Sequence, residues 1–173
     1  MDLLQFDQTT LYFDDPVPIE IEHLLQDASA CYSETDGQAE NMLLRAYFLA
    51  PEQLVVLVAL YRYFFYQHRL DDALLVADRA MDVAGRRLDL PAKWQQLHPE
   101  HIGHAVLRSM GLLRFYLMVL KAAGYIHLRQ GNSAAGQAML EKLVELDSHD
   151  RLGGKALLDV IVAAVAARIE AAA

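Results

Sequence analysis

One cysteine, Cys31, serves the whole 173-residue chain. An internal disulfide is therefore excluded, and a reducing compartment, the cytoplasm, is expected. Cys31 stands among apolar helical positions and reads as a small buried hydrophobe. Alternating runs of Val, Ile and Thr are missing while Ala and Leu dominate, which points to an all-α class. Basic residues are scarce at the front: residues 1–52 hold eleven acids against one base, Arg45. That third is near −10 and the remainder near +2, for a net charge of −8. Phosphate binding needs a basic face, so nucleic acid is not expected as a partner. Solubility alone accounts for the acidity.

Chemistry is equally sparse. There is no Gly-rich phosphate loop, no serine in a nucleophile elbow, and no base readable beside Cys31. Asp71-Asp72 reads as negative charge at a helix N-terminus. No enzyme and no cofactor are expected. The opening MDLLQFDQ is acidic and short of apolar length, so no signal peptide is expected. The longest apolar run, residues 156–167, contains Asp159 and is too short to span a bilayer.

What the chain does have is helical hairpins. From Leu54 to Ala80, Leu57, Leu60, Tyr61 and Phe64 recur at helical spacing, then Ala73, Ala77 and Ala80 do the same beyond the turn Gln67-His68-Arg69. Small residues facing large ones allow a close antiparallel pair. Such a pair leaves apolar surface uncovered and needs neighbours of its own kind. Ala39, Leu43 and Ala46 stand 34 residues before Ala73, Ala77 and Ala80, and Pro51 ends that unit. A third copy carries Leu120, Ala123 and Gly124 on its first helix, Gly131 at the turn, and Gly136, Leu140 and Leu143 on its second. Gly124 and Gly136 fit a close helix approach.

These spacings resemble the tetratricopeptide repeat family over residues 20–52, 54–84 and 117–148. The resemblance implies three antiparallel helical hairpins forming one domain, residues 19–173, behind an N-terminal docking tail, residues 1–18. Copies two and three start 63 residues apart, so an insertion, residues 85–113, lies between them. Within it a short turn is expected around Trp94, then one long or kinked helix from Pro99 to Arg129 bending at Gly111. Gly85-Arg86-Arg87 would end the preceding helix. Residues 155–172 form a capping helix whose polar face is thin, so either the tail covers it or a second copy pairs there as a homodimer.

In the family, the first helix of each pair lines a concave groove for peptides or partner helices. Carried over, the groove-facing positions are Leu24, Ala28 and Tyr32, then Val58, Arg62, Phe65 and Tyr66, then Met118, Lys121, Tyr125 and Arg129. Tyr32, Arg62, Phe65, Tyr66, Lys121, Tyr125 and Arg129 give that surface the aromatic and cationic make-up of a binding hot spot. One protein partner is expected there or on the insertion. The run Tyr61, Tyr63, Phe64, Phe65, Tyr66 has two accounts, burial on both sides of its helix or exposure in the groove. The Lys and Asn that clamp heat-shock carboxylates are replaced by Leu24, Ala28, Met118 and Ala122.

His101 and His104, with His98 nearby, are the weak candidates for a metal; exposed polar residues at a helix start are the plainer account, and no metal is assigned. The acidic three-repeat chain also resembles type III secretion translocator chaperones, though those lack the insertion. The stretch RAYFLAPEQLVVLVALYRYFFYQHRLDDALLVADRAM is similar to small tetratricopeptide proteins that accompany bacterial nitrogenase. That resemblance implies an adaptor or assembly chaperone for a nitrogenase component during maturation or repair. A self-assembling structural protein is the alternative.

Overall fold

Pro18, with φ at −58°, opens the first helix, and Glu20 and Glu22 lie at the free N–H groups of its first turn. A computed structural model of the chain describes residues 15–32 and 37–171, with 164–171 described for their backbone alone. Every regular element among these residues is helical. In order they are α1 Ile19–Ala30, α2 Gln38–Leu49, α3 Leu54–Tyr66, α4 Leu70–Leu88, a 3-10 turn Trp94–Gln96, α5 Pro99–Arg108, α6 Met110–Arg129, α7 Ser133–Leu146 and α8 Gly154–Ala171. No helix among the described residues is long and apolar enough to cross a membrane.

α1 packs on α2, and short turns fold α3 on α4 and α6 on α7, as antiparallel pairs. The second helix of each pair also packs on the next element: α2 on α3, α4 on α6, and α7 on α8. Ala39, Ala46, Ala73, Ala77 and Ala80 are all buried at these contacts, where a short side chain lets two backbones approach. Gly131 makes the α6–α7 turn with φ 83°, a left-handed geometry that a Cβ would strain.

Two helices carry most of the core. On α3, all but four of thirteen residues are buried, because α1, α2 and α4 cover it from several sides. On α6, every residue from Phe115 to Leu120 is buried between α4, α5 and α7. A helix apolar all round has to sit inside, and these two do.

The insertion differs from expectation in two places. α4 does not end at Gly85; it runs to Leu88, and Asp89 caps it with φ 59°. Gly85 stays inside the helix and packs against the Tyr116 ring, whose Cε2 lies 3.4 Å from where a Cβ would be. Nor is there one helix from Pro99 to Arg129. The chain breaks at Ser109, which is extended (φ −162°, ψ 110°), and its Oγ accepts a hydrogen bond from the Leu112 N–H at 3.2 Å. A hydroxyl that satisfies an orphaned first-turn donor starts a new helix more effectively than a glycine bends an old one. The turn around Trp94 is present as expected.

Acids of the front third face bases of α4, and Arg69 just before it. Glu40 pairs with Arg69 at 2.7 Å, Glu52 with Arg86 at 2.8 Å, and Asp15 with Arg87. All are partly exposed, so solvent screens them and each one alone is weak. Together they set the first hairpin against the second. The expected docking of the N-terminal tail falls mostly on residues 1–14, which lie outside the described residues.

Candidate functional site: an aromatic groove across the first helices

The last turns of α1, α3 and α6 lie side by side and present a connected set of rings. Tyr32 meets Tyr63 edge to face at 5.6 Å and Tyr66 at 6.5 Å. Phe65 meets Tyr66 at 5.9 Å and, across to α6, Tyr125 at 6.3 Å. The Arg129 guanidinium lies over the Phe65 ring at 5.3 Å. The Tyr32 hydroxyl donates to the Arg62 carbonyl oxygen at 3.2 Å, joining α1 to α3. Burial, and then neighbouring Tyr66, push that hydroxyl's pKa above the ordinary tyrosine value.

Between α1 and α3 these residues enclose a cleft of about 330 Å³. Leu25, Ala28, Leu43 and Ala59 supply its apolar lining, while Ser29, Tyr32, Arg62 and Tyr66 add polar groups. Tyr66 is 51% exposed and Tyr125 38% exposed, unusual for large rings in a chain with so full a core. Arg62 and Arg129 form no ion pair among the described residues, whereas Arg45, Arg69, Arg79, Arg86, Arg87 and Arg108 each hold a carboxylate. The result is an apolar recess bordered by the Tyr32 and Tyr66 rings and the Arg62 guanidinium, with Arg129 beyond it over Phe65. Such a surface suits a protein segment with a large apolar side chain beside an acid.

Six of the seven residues singled out from the sequence meet here: Tyr32, Arg62, Phe65, Tyr66, Tyr125 and Arg129. Phe65 is 8% exposed and lies outside the cleft lining. The aromatic run divides accordingly, with Tyr61, Tyr63, Phe64 and Phe65 buried and only Tyr66 open. Lys121 is elsewhere engaged: its Nζ donates to the Leu152 carbonyl oxygen at 2.6 Å, tying α6 to the turn before α8. Val58 and Met118 are buried, and Ala59 and Leu25 line the cleft one position away from the residues a repeat count selects. Leu43 reaches it from a second helix, which first-helix counting does not consider.

At the start of α5, the His98 backbone N–H donates to His101 Nδ1 at 3.1 Å, and the two rings stack at 5.9 Å. His101 thus caps a helix, and His104 points to solvent. Among the described residues no group of three His, Cys, Asp or Glu could hold a metal ion.

A further apolar groove of about 290 Å³ runs between α5, α6 and the turn before α8, lined by Ile102, Val106, Met110, Leu113 and Leu117 among others. Leu107, on the same helix as Ile102 and Val106, is 86% exposed.

Hairpins in a row with a groove on their first helices define an all-α protein of stacked helical pairs. No family model and no solved structure matches the chain. It is 49% identical over 161 residues, 93% of this chain and 89% of the relative, to the "uncharacterized 19.8 kDa protein in nifW 5′ region" of Azotobacter chroococcum mcd 1. The chain belongs to the family of that 19.8 kDa protein.

Proposed function

We propose that this protein is a non-catalytic adaptor or assembly chaperone of nitrogen fixation, which holds one protein partner in the groove of α1, α3 and α6. The observation that carries this reading is the pairing of an open apolar cleft with the exposed rings of Tyr66 and Tyr125 and the unpaired Arg62 and Arg129. The order in which the hairpins pack supports the tetratricopeptide resemblance, in which first helices line a partner groove. The relative's location in the nifW 5′ region supports a nitrogenase component as the partner, during maturation or repair, over a secretion translocator.

The test is affinity capture from nitrogen-fixing cells with the wild-type chain and with Tyr66→Ala combined with Arg129→Glu. The wild type should retain a nitrogenase component, and the double variant should lose it at unchanged helicity. Hot-spot residues cost roughly 2 kcal/mol or more on truncation, enough to abolish capture. Equal yield of the same partner from both would move the binding surface to the α5 groove.

A further inference from the structure

We propose that the chain's own residues 1–14 occupy this cleft when no partner is bound, with Phe6 as the apolar anchor and Asp7 against Arg62. The proposal rests on the reading of the groove as the partner site.

The tail's exit point is fixed. Asp15 pairs with Arg87, and Gln53 Nε2 donates to the Pro16 carbonyl oxygen at 3.0 Å. Both contacts lie at the Leu54 end of α3, where α4 finishes and Arg87 Nη2 also donates to the Glu52 carbonyl oxygen. The cleft opens towards the other end of α3, at Arg62 and Tyr66. The thirteen residues of α3 cover about 20 Å at 1.5 Å each. Phe13 and Tyr12 are too close to Asp15 to bridge that distance. Phe6 is nine residues away, and nine extended residues reach about 30 Å.

Sequence and surface also match in character. Within MDLLQFD, Leu3, Leu4 and Phe6 lie between Asp2 and Asp7, and residues 1–14 contain no base. The cleft offers Leu25, Ala28, Leu43 and Ala59 to the apolar groups and the Arg62 guanidinium to an acid. A nearer cleft of about 230 Å³, beside Trp94, carries Asp78 and Asp82, and its Arg86 is already paired with Glu52. An acidic segment is repelled there. The α5 groove is apolar and carries Arg114 and Arg151, so it is the rival that the experiment must separate.

In the full-length chain with Cys31→Ser, Gln5→Cys, which leaves the Phe6 anchor in place, is combined either with Ser29→Cys in the cleft or with Leu107→Cys beside the α5 groove. Mild oxidation followed by non-reducing electrophoresis reads disulfide formation. The Ser29 pair should close within one chain at least about tenfold faster than the Leu107 pair, since docking raises effective concentration. Adding Asp7→Lys should slow the Ser29 pair. Equal rates, or faster closure at Leu107, overturn the proposal. Linkage only between two chains overturns it as well, by placing a second copy's segment in the cleft. Should Cys31→Ser lower helicity, the native Cys31, next to Tyr32, replaces the engineered thiol at Ser29. The two readings fail separately. A Ser29 link in a chain whose Tyr66→Ala, Arg129→Glu form still captures its partner removes the partner site and keeps the tail. Lost capture without the link does the reverse.

Discussion

Gly136 and Gly124 meet backbone to backbone: a Cβ on Gly136 would stand 2.8 Å from the Gly124 carbonyl oxygen and 2.7 Å from Leu128 Cγ. Neither atom can withdraw without separating α6 from α7. Gly136→Ala should therefore destabilise the protein by about 1–3 kcal/mol, as overpacking does elsewhere. Gly103 supplies the contrast, because a Cβ there meets nothing within 4 Å on an exposed face of α5. Gly103→Ala should stabilise by about 0.5–1 kcal/mol through helix propensity alone. Urea titrations of the two variants read both effects. A neutral Gly136→Ala would mean that α6 and α7 do not touch there.

Alkaline pH should weaken the fold through Tyr116. Burial pushes its hydroxyl up to about 12 from an unfolded value of 10.0. Between those values the unfolded chain gives up the proton first, so stability is intact below the unfolded value and falls as pH rises towards the folded one. The loss is on the order of 2–3 kcal/mol once complete. Tyr32 and Tyr63 are shifted the same way by burial and add to the slope. Thermal melts across that range should show a shallower decline for Tyr116→Phe than for the wild type. Parallel curves would take Tyr116 out of the account.

Lys121 separates a structural cation from a binding one. Its Nζ holds the Leu152 carbonyl oxygen, so Lys121→Met should lower stability by about 1.5–3 kcal/mol, the range for hydrogen bonds to a charged group. Partner capture by the folded variant should be unchanged. Loss of capture at full stability would return Lys121 to the groove.

The helical pairs were readable because their small residues repeat: Ala39, Leu43 and Ala46 sit one repeat length before Ala73, Ala77 and Ala80, and all six are buried. The Ser109 break was not. Apolar residues continue at helical spacing from Ile102 to Leu120, and a serine within such a pattern looks the same whether it caps a helix or faces water. The helix boundary at Ser109 depends on what lies opposite in space, a backbone donor.

The groove was legible to within one residue of register. Counting from a repeat places a side chain on a face but not at a depth, so Phe65, expected on the open surface, is buried. Counting also cannot tell that the chain returns at Leu152 to take up Lys121, 31 residues later. Tyr66, Arg62 and Arg129 were singled out by the groove positions that the repeat resemblance implies on the first helices.

Lys142 Nζ reaches back 45 residues to the Leu97 carbonyl oxygen at 3.0 Å, and Leu97 itself is fully buried. On the ribosome this contact has a fixed place in time. The pairs α1–α2 and α3–α4 need only neighbouring stretches of chain and can close while the rest is being made. The segment around Trp94 has emerged by then, but its latch on α7 has not. It must stay unfastened until Lys142 leaves the exit tunnel, so the front of the protein, groove rings Tyr32 and Tyr66 included, is assembled before its middle is secured.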